Sequence, residues 1–170
     1  MTQALTQLYP NRIFGARSTS NLRGVHPHLI EVVTAALHIC DVDFTVIEGV
    51  RTYARQLELY GQGRTAGEMK AQGLSVKLAQ PKLPRVTWTL TSNHFVQKST
   101  GYGHAVDLAH IRGGRVIWED DHKIAHAMLR AAEALNIPIR WGKDWNRNGK
   151  PGEKGETDGP HFELWGAQRV

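Results

Sequence analysis

The chain has 170 residues, 41% of them hydrophobic and 22% charged, values of an ordinary globular protein that exclude a disordered, fibrous or low-complexity chain. Lys and Arg number 21 against 16 Asp and Glu, a net charge of +5, which suits an acidic partner or simply solubility. The single cysteine, Cys40, excludes an internal disulfide and any metal site built from several thiolates, so a metal here must use His, Asp or Glu.

The length predicts one domain over 1–170. No run approaches the roughly 18 apolar residues of a membrane span. The opening MTQALTQLYPNRIFGARS lacks the apolar core of a secretory signal. Residues 1–20 read as an irregular lead-in. His26-Pro27 then opens a helix in which Leu29, Ile30, Val33, Ala36, Leu37 and Cys40 recur at helical spacing, with Cys40 on the buried side. Phe44 to Val50 is a strand by its β-branched and aromatic content. Residues 52–63 form a second helix closed by glycines. The stretch 64–86 is a long loop with one helical turn, and Val86 to Leu90 is a short strand.

Ala105 to Leu108 is a further strand, and Gly113-Gly114 turns the chain back into Arg115–Trp118 as a hairpin. Asp120 to Leu135 is the third helix, with Ile124, Ala127, Met128, Ala131 and Leu135 facing inward. Ile139 to Trp141 is a strand, 142–160 a loop rich in Gly, Asn and Lys, and Phe162 to Trp165 the last strand. Helices mixed with hairpin-linked strands make an α+β fold: a small, mostly antiparallel sheet flanked by about three helices, with long loops around a cleft.

The chemistry gathers in Ser92-Asn93-His94, then Gly103-His104-Ala105-Val106-Asp107, then Asp158-Gly159-Pro160-His161-Phe162-Glu163. Two His and one Asp from separate segments make an N₂O set that can hold zinc with one coordination position open for water. Zinc lowers the pKa of that water from 15.7 to about 7. A carboxylate that is not a ligand must then take the proton and deliver it to the leaving group. Asp158, tied to His161 by a short turn, is placed for that. The residues alone leave other roles open: Asp107 in an ion pair, Asp158 capping a turn. His122 and His126 share a helix face, but no third ligand accompanies them, so they read as exposed helix residues. His110 reads as a surface loop residue.

Taken together, S-x-H, G-x-A-x-D and D-x-x-H-x-E-L resemble the zinc peptidases of the D-alanyl-D-alanine carboxypeptidase and L-alanyl-D-glutamate endopeptidase group. The chain is most similar to bacteriophage endolysins of the L-alanyl-D-glutamate peptidase type. The likeness runs over roughly 13–165, through Asn21-Leu22, Gly24–Pro27, Asp43–Val46, Glu48–Thr52, Gln56, Leu59-Tyr60, Thr87–Thr89 and Trp141–Trp145. It implies that His94, Asp107 and His161 ligate one Zn²⁺, that Asp158 is the general base, and that Arg51 meets a substrate carbonyl or carboxylate. The alternative for Arg51 is a structural ion pair with Glu48. Ser92, His104, Trp141, Asp144 and Trp145 are expected near the substrate, and Glu163, two residues after His161, is placed to orient a ligand.

One departure matters. Many relatives carry the first His three residues before the Gly, where this chain has Thr100, and Phe95 to Tyr102 reads as an insertion. His104 is the competing ligand. It lies three residues before Asp107, an odd separation that tends to put the two on opposite faces of a strand, so His94 is preferred. Loops 64–86 and 95–102 are the expected rims of the substrate groove.

The resemblance implies a peptidoglycan endopeptidase for host lysis. It would be made in the bacterial cytosol and act at the wall or periplasm once a holin-type protein opens the membrane. No separate wall-binding domain and a monomer are expected. The alternatives are a D-alanyl-D-alanine carboxypeptidase or a zinc-containing wall-binding module without catalysis. Nucleic-acid binding is not expected, because the basic residues are scattered and not striped along one element.

Overall fold

The computed structural model describes residues 8–118 and 121–166. The elements run α1 (Ala16–Asn21), α2 (Pro27–Ile39), β1 (Phe44–Glu48), α3 (Tyr53–Gly61), α4 (Ala66–Ala71), a 3-10 turn (Val76–Leu78), β2 (Ala105–Arg112), β3 (Arg115–Ile117), α5 (Asp121–Leu135), β4 (Ile139–Trp141) and β5 (His161–Leu164). Every strand pairing is antiparallel. The order across the sheet is β1-β2-β5-β4, with β3 also on β2.

Alternation sorts the strand side chains into two faces. Phe44, Val46, Val106, Leu108, Ile139, Trp141, Phe162 and Leu164 belong to one hydrophobic core. α2 and α5 close that core with Leu29, Val33, Leu37, Ile124, Met128 and Ala131. Pro27 starts α2, and the His26 ring caps it by accepting the His28 N–H at 3.2 Å. Cys40 is buried as expected. Leu135, expected inward, is exposed. The helix stops beside it: Asn136 turns left-handed at φ 55°, and the Ile137 N–H returns to the Ala132 carbonyl. His110 is not on a surface loop. It is buried on β2, and its Nδ1 has no hydrogen bond among the described residues.

Three element readings need correction. The lead-in contains α1, which covers the edge of β1. Ser18 Oγ accepts the Val46 N–H at 3.0 Å, and Asn21 Nδ2 donates to the Val46 and Ile47 carbonyls at 2.8 Å each. The 64–86 stretch holds α4 and a 3-10 turn. A capping box between Thr65 and Glu68 starts α4, and that T-x-x-E signal is present in the sequence. Residues 86–90 form no strand, because no neighbouring edge pairs with them. The Thr87 and Thr89 carbonyls accept instead from the Arg64 and Gln56 side chains. The Gly113-Gly114 turn is as expected, with φ of 57° and 74°. The expected first residue of the third helix, Asp120, lies outside the described residues.

The sheet face opposite the core carries the polar residues. A bulge after Val46 brings Glu48 opposite Asp107, where uninterrupted alternation would have turned it to the core. Asp107 in turn lies opposite His161 on β5, and Glu163 lies opposite Arg140 on β4.

Candidate functional site

This polar face floors an open cleft of about 920 Å³. His94, Asp107 and His161 meet there, with one ligand atom from each lying within 4.8 Å of the others. His94 Nε2 is 3.2 Å from Asp107 Oδ1 and 3.3 Å from His161 Nδ1, and His161 Nδ1 is 3.3 Å from Asp107 Oδ1.

The His94 segment is held on both sides. The Arg51 N–H donates to the His94 carbonyl at 3.0 Å, the His104 N–H donates to the Asn93 carbonyl at 2.7 Å, and Ser92 Oγ accepts the His94 N–H. Gly103 fits closely here. A Cβ would come within 3.0 Å of the His94 carbonyl oxygen and of Val50. His161 opens β5 after the turn Asp158–Pro160, its N–H bonded to the Asp158 carbonyl at 3.2 Å.

The outer nitrogens of both histidines are committed. His94 Nδ1 donates to the Gly49 carbonyl at 2.6 Å, and His161 Nε2 donates to Glu163 Oε2 at 3.0 Å. Those bonds leave His94 Nε2 and His161 Nδ1 as the two nitrogens turned to one point, with a carboxylate beside them. Fixed tautomers and an N₂O donor set fit a divalent metal of the zinc class. Glu163 is only 3% exposed and is itself held, by Asn93 Nδ2 at 2.7 Å and by Arg140 Nε at 3.0 Å. Arg140 lies over the Trp145 ring at 4.9 Å and the Trp165 ring at 4.3 Å.

The charges respond to this crowding. Burial alone would raise Asp107, but the two histidines outweigh it and hold the carboxyl well below the usual range. Burial alone would lower His161, but bonds to Asp107 and Glu163 push it up to about 10. Glu163, which burial would raise, is brought down to about 2, chiefly by His161 and Asn93. Asp158 moves the other way. The protein mass around its carboxyl raises the pKa, Asp107 adds to the rise, and His161, His94 and Arg51 oppose it.

Arg51 is engaged with its neighbours. It donates through Nε (3.0 Å) and Nη2 (2.5 Å) to Glu48, through Nη2 to Asp107 Oδ2 (3.1 Å) and through Nη1 to Gln56 (2.8 Å). The ion pair with Glu48 is therefore present, and it ties Arg51 to Asp107 while Arg51 still lines the cleft.

Asp158, Ser92 and Trp145 line the cleft, and the Trp145 ring is 5.3 Å from that of His161. Three other expected substrate contacts lie elsewhere. Trp141 is a core residue, stacked on Phe162 and donating to the Gly159 carbonyl at 2.7 Å. Asp144 ties its own loop by accepting the Asn148 and Gly149 N–H groups. His104 is buried against His26 and bonded to Thr100 Oγ1 at 2.7 Å. The groove rim also differs from expectation. From the 64–86 loop only Val86 lines the cleft, whereas Phe95 to Lys98 all do. Asn93 and Arg140 were not singled out in the sequence. Asn93 adjoins a ligand candidate, but the partnership of Arg140 with Glu163 follows from strand register alone.

A model of the phage L-alanyl-D-glutamate peptidase family matches residues 12–165. The chain belongs to that family. It is 29% identical over 157 residues to the L-alanyl-D-glutamate peptidase of Escherichia phage T5, covering 89% of this chain and 96% of that one. Its fold is similar to the crystal structure of the Serratia marcescens L-Ala D-Glu endopeptidase ChiX, with a TM-score of 0.61, 36% identity and 89% of each chain covered. The family's α+β architecture is thus the one seen here, with a five-stranded antiparallel sheet and, among the described residues, five α-helices. The two helices beyond the expected three, α1 and α4, are six residues each.

Proposed function

We propose that the protein is a zinc-dependent peptidoglycan endopeptidase that cuts the L-alanyl–D-glutamate bond of the stem peptide. The observation that carries this is the convergence of His94 Nε2, Asp107 and His161 Nδ1 in an open cleft, with both outer ring nitrogens tied down. These three residues would hold the ion, which when bound would supply a water activated near neutral pH and Lewis-acid polarisation of the substrate carbonyl.

The chain's own residues do the rest. Asp158 takes a proton on its carboxylate and passes it to the amine of the departing glutamate. Its raised pKa suits a group that must hold a proton between those two events. Arg51 keeps Asp107 in place through Nη2, and its remaining Nη1 hydrogen is offered to the oxygen that gains charge at the cleaved carbonyl. Trp145, beside His161, walls the cleft. The monomer works on a wall reached through a holin-type membrane protein, and its positive charge favours an acidic envelope.

The test is a digest of purified sacculi, with mass spectrometry of the new amino termini, with and without a chelator. New glutamate termini that disappear with chelator are expected. Release of free D-alanine alone would assign a carboxypeptidase instead. No new terminus from zinc-loaded protein would leave a wall-binding module.

A further inference from the structure

We infer that Lys98 selects the substrate by pairing with the free carboxylate of the glutamate that follows the scissile bond. This deepens the proposed function and rests on it. A glutamate has two carboxyl groups, and the continuing chain can use at most one. At least one therefore stays free and ionised at neutral pH. Because the bond to be cut is the one to that residue's amine, the free carboxylate enters the cleft together with the reacting carbonyl.

The cleft is a hostile place for an anion unless a cation is available. Glu48, Asp107, Asp158 and Glu163 all line it. Its Lys and Arg residues are Arg51, Arg55, Arg140 and Lys98. Three of them already have acids. Arg51 is held by Glu48 and Asp107, Arg140 by Glu163, and Arg55 by Glu58 at 3.0 Å and Glu48 at 3.7 Å. Lys98 is exposed and has no acidic partner among the described residues. It is the lining cation whose charge is not yet spent.

The segment that carries Lys98 is fastened. The Gln97 N–H donates to the Tyr102 carbonyl at 2.9 Å, and the Gly101 N–H to the Gln97 carbonyl at 2.8 Å. Gln97 Nε2 donates to the Phe95 carbonyl at 2.8 Å. At the base, Val96 bridges Gly103, and Thr100 Oγ1 meets the ring of buried His104, which lies edge-on to His26 at 5.2 Å. A pinned loop carries its cation to the rim without having to be ordered on binding. The thirteen-residue separation of His94 and Asp107 thus has a use: the extra residues form the arm that holds this charge. His104, anchored beneath Thr100, supports that arm and does not line the cleft.

The experiment uses the full chain loaded with zinc and two synthetic substrates. One is an acyl-L-Ala–D-Glu peptide with the glutamate carboxylate free, and the other is the same peptide with that carboxylate as a primary amide. Lys98→Ala should raise KM for the acid about tenfold with kcat nearly unchanged, and leave the amide nearly unaffected. Tenfold corresponds to about 1.4 kcal/mol, within the range of a hydrogen bond to a charged group. Lys98→Arg should restore most of the preference, and Lys98→Glu should reverse it. Added salt should shrink the wild-type preference for the acid. Equal effects of Lys98→Ala on both substrates, or no effect on either, would overturn the assignment while leaving the peptidase reading intact. Wild-type enzyme that binds zinc and cleaves neither substrate would sink the peptidase reading, and this inference with it.

Discussion

Each histidine of the cluster offers one ring nitrogen because its other nitrogen is already spoken for. For His94 the partner is a backbone carbonyl, Gly49, which can only accept. For His161 it is Glu163, a carboxylate buried to 3% exposure and kept ionised by His161 itself, Asn93 and Arg140. Partners of this kind set ligand orientation and basicity, and losing one costs about 10–100-fold in metal affinity. Glu163→Gln keeps the shape and removes the charge, so it should weaken metal binding by that factor in a chelator competition. Unchanged affinity would show that the packing around His161, and not the carboxylate, orients the ring. Part of this arrangement was readable in the sequence. His94, Asp107 and His161 sit in spaced motifs, and the two-residue step from His161 to Glu163 puts them on one strand face. Arg140 was not readable, because nothing local relates residue 140 to residue 163. Only the β4–β5 register does.

Elements were readable where local pattern and tertiary fate agree. α2 and α5 have clear apolar periods and a full core face to bury. α1 is six residues with one buried side chain, Ser18, so no apolar period announces it. Val86–Leu90 has strand composition but no partner edge, and strand propensity without pairing does not make a strand. The turn that carries Asp158 and His161 shows how closely elements are fitted. A Cβ on Gly142 would lie 2.1 Å from the Asp158 carbonyl oxygen. The Gly142 N–H and carbonyl also bond that turn, at 2.9 Å to the His161 carbonyl and 3.2 Å from the Asp158 N–H. Gly142→Ala must therefore push away the proposed base, Asp158, and with it a ligand candidate. A displacement of about 1 Å can cost roughly 100-fold in rate. Gly142→Ala should lose about that much activity while far-ultraviolet circular dichroism still shows the native helices. The control is Gly113→Ala, in open space at φ 57° on the hairpin. It should cost about 1 kcal/mol of stability from backbone strain and leave kcat unchanged. Equal losses of activity in both variants would mean that general destabilisation, not the turn, is responsible.

At the scale of the molecule, the sheet divides the protein into a face that folds and a face that reacts. The reactive face is held by strands whose other sides form the core, so a metal bound at His94, Asp107 and His161 would be coupled to folding through the β2 and β5 backbone. That coupling has a pH signature with two opposed signs. Without metal, His161 titrates near 10, against about 6.5 when unfolded. Its protonated form is therefore favoured by folding, and this contribution is complete below pH 6.5 and fades as pH rises toward 10. A metal needs the neutral ring and must displace that proton, so its own contribution grows over the same window. The zinc-bound state should thus gain on the metal-free state as pH rises, because the metal must displace a proton that folding holds more tightly than the unfolded chain does. Thermal unfolding at pH 6, 7 and 8, with zinc and with chelator, tests this. The metal-free Tm should fall slowly, and the gap between zinc and chelator should widen with pH at fixed free zinc. At a free zinc concentration 100 times Kd the gap should correspond to about 2.7 kcal/mol. A gap that stays constant across the three pH values would mean that no proton leaves on metal binding. His161 would then have to be neutral already in the metal-free protein, and the hydrogen bonds to Asp107 and Glu163 would not be holding a charge between them.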